Sequence, residues 1–189
     1  IKDLLIKEGG FTDDPSDSAH NIRKSNGAKW DSFCTNMGIT QFTLSDFLGR
    51  QATVEEVKGL RREVATAIYL RQYYNNPKID LLPPAFQPKV FDMGVNHGQS
   101  RGVMILQECL KARGFECDVD GKIGPQTARL AHRAMATLGT EFINDMVDAR
   151  NKFFDRLVEA RPSNAKFARG WRNRSESFRV KEEKKGDPI

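Results

Sequence analysis

The chain has no run of about 18 apolar residues, so no segment reads as a helix that crosses a bilayer. It has no HExxH, CxxC, GxSxG or phosphate-loop signature, which removes four common catalytic chemistries. Histidine is scarce, and His20, His97 and His132 are scattered. Cysteine is scarce too. Cys34, Cys109 and Cys117 lack metal-ligand spacing, and an odd count cannot form a complete disulfide framework. A Cys109–Cys117 bridge stays open. "DVDGKIGPQTAR" begins like a calcium loop at Asp118 and Asp120, but Arg129 stands where the closing carboxylate belongs. No metal and no cofactor are expected. The chain opens on Ile1, so the absence of a secretory leader from it excludes nothing.

What is present fits a soluble globular chain: 189 residues, 39% hydrophobic and 29% charged. Thirty Lys and Arg against 25 Asp and Glu give +5. That excess favours polyanionic partners without choosing among them. No nucleic-acid motif accompanies it, and no stable membrane insertion is expected.

The pattern is mostly helical. "LLIKE" reads as a short first helix stopped by Gly9-Gly10. Residues 11 to 40 read as a long irregular stretch, and "TLSDFLG" as a short helix. "TVEEVKGLRREVATAIYLRQYYNN" reads as one long helix, opened by a Thr53/Glu56 capping box. Further helices are expected over 85–95, over "SRGVMILQECLKARG" and from Pro125 through Leu138. Between them Asp120-Gly121, flanked by Val119 and Ile123, is a turn signal for a small hairpin. Phe142, Met146, Ala149, Phe153 and Leu157 mark the apolar stripe of a long penultimate helix, and residues 163–178 the last segment. The expected fold is therefore all-α, or α-dominated α+β: a helical bundle with one small β-hairpin.

With other chemistries excluded, carboxylates carry the functional argument. Glycosidic cleavage needs a group that is protonated at working pH and donates to the leaving oxygen. Glu8 closes a predicted helix against apolar residues, where partial burial would favour its neutral form. Gly9 and Gly10 lack side chains and leave a bulky sugar room to approach. The bland reading is an ordinary helix stop before a solvated acidic turn. Trp30 is either a sugar platform or a loop anchor. Tyr73 and Tyr74 suit sugar stacking or core packing, with Tyr73 the candidate sugar contact. Asn96 and His97, beside Gly98, are candidate cleft-lining groups. Trp171 with Arg169 and Arg172 reads as a brace for the last helix.

"EGGFTDDPSD", with "TNMGIT" at 35–40, resembles glycoside hydrolase family 108, bacterial and phage N-acetylmuramidases that cut peptidoglycan. Glu8, Gly9, Gly10, Phe11, Asp14, Pro15 and Asp17 match the first half of its opening pattern. Thr35, Gly38, Ile39 and Thr40 match the second. "KVFDMGVNHGQSRGVMILQ" resembles its central helix pair, through Asp92, Val95, Asn96, Gly98 and Gln107. "VDGKIGPQT" and "FARGWRNR" resemble its C-terminal part, described as peptidoglycan-binding. The Glu8–Asp17 interval is also similar to that of phage-type lysozymes. The sequence departs from that pattern after Asp17, where "SAHNIRKSNGAKWDSFC" moves the matching threonine to Thr35.

The resemblance implies a lysozyme-like fold. It implies a catalytic region over 1–98, a peptidoglycan-binding-like region over 99–180 packed with it as one unit, and a polar tail over 181–189. It makes Glu8 the catalytic acid, with Asp17, preferred over Asp31, as second carboxylate. Asp17 would stabilise positive charge or position water, and Thr35 would orient that water. Gly9, Gly10, Phe11, Asn96, His97 and Tyr73 are the expected substrate contacts. The partner is the peptidoglycan glycan strand, met by a monomer in the periplasm or outside the cell. Phage-encoded synthesis in a host cytoplasm fits equally. A lytic transglycosylase and a non-catalytic wall-binding or secretion-helper protein stay open as alternatives.

Overall fold

A computed structural model describes residues 10–12 and 34–181. The expected first helix, Glu8, Gly9, Asp17, His20, Trp30, Asp31 and the tail beyond Lys181 lie outside the described residues. The chain divides into two compact units, 1–72 and 73–189.

The first unit is organised by a hairpin. Strand β1 (Thr35–Asn36) pairs antiparallel with β2 (Ile39–Thr40). Met37 and Gly38 form the two-residue turn at φ 50° and 72°. Two left-handed residues give the turn whose twist matches paired strands. The hairpin is pinned from several sides. Tyr69 OH donates to Met37 O at 3.1 Å. Asn36 Nδ2 donates to Val57 O and Lys58 O, each at 3.0 Å. Thr40 then caps α1 (Gln41–Leu48), its hydroxyl accepting from Thr43 N–H at 3.1 Å. Gly49 ends α1 at φ 69°.

The helix expected over 53–76 is broken. Its start is as predicted: Thr53 and Glu56 form the capping box of α2 (Val54–Lys58). An uninterrupted helix would pair Val57 O and Lys58 O with N–H groups one turn on. Asn36 takes those carbonyls instead, and Gly59 is a poor helix former. The chain extends at Arg61 and restarts as α3 (Arg62–Leu70), followed by one π-helical turn, Arg71–Asn75. Cys34, Ile39, Leu44, Val57, Ala65 and Ile68 are buried in this unit.

The second unit is helical. A 3-10 turn (Ile79–Leu81) leads to α4 (Gln87–His97), α5 (Gln99–Ala112), α6 (Pro125–Leu138), α7 (Glu141–Ala160), a 3-10 turn (Pro162–Asn164) and α8 (Ala165–Glu176). Gly98 alone joins α4 to α5, at φ 86°. A Cβ at Gly102 would stand 2.8 Å from Gly94 N, so α4 and α5 meet backbone to backbone. Phe86, Met93, Leu106, Leu130 and Met146 belong to one buried apolar cluster, and the Phe86 and Phe142 rings lie 5.2 Å apart within it.

The hairpin expected around Asp120-Gly121 is not one. The buried side chain of Gln107 occupies the backbone groups a hairpin would pair. Its Oε1 accepts from Gly121 N–H at 2.8 Å. Its Nε2 lies 2.8 Å from Asp120 Oδ1, 3.1 Å from Lys122 O and 3.1 Å from Thr127 Oγ1. Gly121 sits at φ 73° against Ser100. The Cys109–Cys117 bridge does not form: all three cysteines are buried thiols. Burial pushes the Cys109 thiol up to about 12, which keeps it unreactive.

Candidate functional site

Thr35 is the catalytic candidate the structure describes, and its position is set by backbone. Its N–H donates to Thr12 O at 2.8 Å, and Thr12 N–H donates to Thr35 O at 2.9 Å. On its other edge Thr35 lies opposite Thr40 across the hairpin. Thr12, the end of the "EGGFT" segment, is thereby fixed to β1. Gly10 is exposed and Phe11 is 38% exposed. Among the described residues, a Cβ at Gly10 would meet nothing within 4 Å, and its φ is not in the left-handed region. Neither packing nor backbone conformation among those residues requires glycine there.

Tyr73 is half-buried in the π-helical turn. Tyr74 beside it packs inward, its hydroxyl donating to Gln87 Oε1 at 2.8 Å. Asn96 and His97 lie in the second unit, at the end of α4. Asn96 Nδ2 bonds back to Asp92 O at 3.1 Å. His97 Nε2 accepts from Arg150 Nε at 3.0 Å. Its ring stands edge-on to Phe153 and Phe154 at 5.1 and 5.2 Å. Trp171 stacks on Phe154 at 5.3 Å and braces α8.

These contacts belong to a buried polar cluster. Arg150, 0% exposed, donates from a terminal guanidinium nitrogen to Asp92 Oδ2 at 2.7 Å. Arg174 Nε donates to Asp92 Oδ1 at 3.0 Å. Lys89, 1% exposed, reaches Ser175 Oγ at 3.2 Å and lies 5.0 Å over the Phe178 ring. No carboxylate pairs with Lys89 among the described residues. The sequence carried a signal for this cluster: Arg150 falls on the apolar face of α7, between Met146 and Phe154. The buried stripe is Phe142, Ile143, Met146, Val147, Arg150 and Phe154. Ala149, Phe153 and Leu157, expected on it, are half-buried, because the stripe is turned to bring Arg150 inward.

Charge in this interior is costly, and two protonation states respond. Burial first, and the Arg150 cation second, hold His97 down to about 3. The neutral ring cannot act as acid or base near neutral pH. Burial, then Arg150, also lowers Lys89 to about 7. Both groups bind a proton more readily in the unfolded chain, near their ordinary values of 6.5 and 10.5. Stability should therefore rise with pH through two windows, about 3 to 6.5 for His97 and about 7 to 10.5 for Lys89. Urea midpoints measured across pH test this, and His97→Gln should flatten the acid window alone. Equal acid slopes in wild type and variant would refute the assignment.

Among the described residues no cluster of His, Cys, Asp or Glu could hold a metal ion, and no helix is long and apolar enough to cross a membrane. A helix-dominated chain with one small hairpin has an α-dominated, lysozyme-like fold. The chain belongs to the glycosyl hydrolase 108 family, whose model matches residues 1–98. A second family model, described as a predicted peptidoglycan domain, matches residues 101–176. A solved structure of SagA from Brucella abortus is similar: 29% identity, TM-score 0.68, covering 94% of this chain and 87% of that one. No curated protein matches the chain. It is thus a glycosidase of the cell wall, with peptidoglycan as substrate. The family boundary falls between α4 and α5, whereas packing divides the chain at 72/73. Helix α4 therefore goes by sequence with the first family model and by packing with the second unit.

Proposed function

We propose that the chain is an N-acetylmuramidase: it hydrolyses the β-1,4 bond between N-acetylmuramic acid and N-acetylglucosamine. Residues 1–98 carry the chemistry, and 99–180 hold the wall. Glu8, protonated, donates to the leaving oxygen. Asp17 stabilises the oxocarbenium-like transition state or positions water, and Thr35 orients that water. Gly9, Gly10 and Phe11 border the sugar, with Tyr73, Asn96 and His97 as further contacts.

The observation that carries this reading is the Thr12–Thr35 bridge. It attaches the segment in which Glu8 stands, four residues before Thr12, to the strand that begins with Thr35. Thr12 and Thr35 have 22 residues between them in sequence and are joined by two backbone hydrogen bonds. An exposed Gly10, with nothing among the described residues within 4 Å of where a Cβ would stand, supports sugar approach at that point. The test is mass spectrometry of digested peptidoglycan. Reducing muramic acid ends are expected. 1,6-Anhydromuramic ends would identify a lytic transglycosylase, and reducing glucosamine ends a cut at the other bond.

A further inference from the structure

The second unit carries a cleft that this chemistry does not use. Its volume is about 710 Å³, within the range of small-ligand sites. Local chain geometry builds its floor. Beyond the end of α5, Gly114 adopts φ 82°, and its N–H bonds to Lys111 O at 3.0 Å. Phe115 N–H bonds to Leu110 O at 3.1 Å. This left-handed closure turns Phe115 back against the core. Arg133, from α6, lies 5.6 Å over the Phe115 ring. Gln126, in the first turn of α6, ties the rim by accepting from Asp118 N–H at 3.4 Å.

The lining charges set this cleft apart. Lys111, Arg129 and Arg133 are exposed along it, as are Glu116 and Asp118. None of the five makes an ion pair among the described residues, so the opposite charges stand too far apart to join each other. Elsewhere on the unit exposed charges do pair: Arg113 with Asp145, and Arg179 with Asp148. Charges of both signs, held apart around one concave space, suit a ligand that carries both signs at a distance. A glycan strand stripped of peptide offers only lactyl carboxylates and no ammonium. The peptide stem of peptidoglycan offers carboxylates and a free ammonium.

We propose that this cleft binds the peptide stem, its carboxylates on Lys111, Arg129 and Arg133 and its ammonium on Glu116 and Asp118. The inference rests on peptidoglycan being the substrate. The glycan would then be cut by one unit while the other reads the peptide attached to it.

The experiment is calorimetric titration of the full chain with a free stem tetrapeptide containing diaminopimelate. Wild type should bind it, more weakly as salt rises. Arg129→Glu should weaken binding at least tenfold, and so should amidation of the peptide's carboxylates. Lys111→Glu is a second exposed variant with the same expectation. Exposed substitutions of this kind leave the fold intact. Failure of wild type to bind, or binding as tight as wild type by both charge-reversed variants, overturns the proposal. Displacement of the peptide by an uncharged chito-oligosaccharide overturns it too. Binding is read without turnover, so its failure is distinct from failure of the muramidase reading, which the digestion products decide.

Discussion

Glu8→Gln is expected to lower the rate of wall clearing by about 10²–10⁴-fold, the usual worth of a positioned general acid. The amide matches the carboxyl in size and keeps a hydrogen bond to the leaving oxygen. It cannot deliver a proton, so the sugar oxygen must depart as a poor leaving group. Ground-state binding should change little, because substrate contacts are shared with the rest of the cleft. The measurement is turbidity loss of purified sacculi, with pelleting of the protein on them as the binding control. A variant that clears sacculi at the wild-type rate would remove Glu8 from the mechanism. Asp17→Asn and Asp31→Asn, assayed in parallel, decide the second carboxylate: the larger loss should fall on Asp17.

Asp92→Ala is the substitution expected to cost most stability, roughly 3–5 kcal/mol, the range for breaking a buried ion pair. Asp92 is 8% exposed and is the one carboxylate between Arg150 and Arg174 among the described residues. Its removal leaves a fully buried guanidinium uncompensated and two like charges as neighbours. Arg174→Ala should cost less, because that side chain keeps 20% of its exposure and Arg150 still holds the carboxylate. In Asp92→Ala/Arg150→Met both partners of the buried pair are gone, and part of the lost stability should return. Urea midpoints of the four proteins give the comparison. A double variant no more stable than Asp92→Ala would show that the pair is not the source of the loss. For a domain held by about 5–15 kcal/mol, the single change would bring the second unit near its threshold.

Much of the helical frame was legible, because apolar spacing and end signals agree. Thr53/Glu56, Gly49 and Pro125 each stand where the expected helix boundary falls. The errors share one physical source: a distant side chain claimed backbone groups that local patterning had assigned elsewhere. Asn36 ends α2 by taking its last carbonyls. Gln107 occupies Gly121 and Lys122, so the Asp-Gly signal yields an anchored loop. The true hairpin escaped notice because Met37 is not a residue one expects in a left-handed turn, and its cost is met by Tyr69 holding the turn carbonyl. The polar cluster was hidden for the opposite reason. Lys89 and Arg150 read as surface charge by composition, and only their place on apolar faces betrays them. The glutamate proposed as the acid was singled out through its motif alone; no property of a single carboxylate distinguishes it in sequence.

The Thr12–Thr35 bridge has a consequence for how this chain can vary. It joins two points of the chain that have 22 residues between them in sequence, by two backbone hydrogen bonds. The entropy of closing a flexible loop grows only with the logarithm of its length, about 0.6 kcal/mol for each doubling. The interval between the two halves of the motif can therefore lengthen or shorten by many residues while the anchor stays intact. Sequence distance along this segment is then a freely drifting quantity, and recognition of distant kin should weigh the anchored ends rather than the gap.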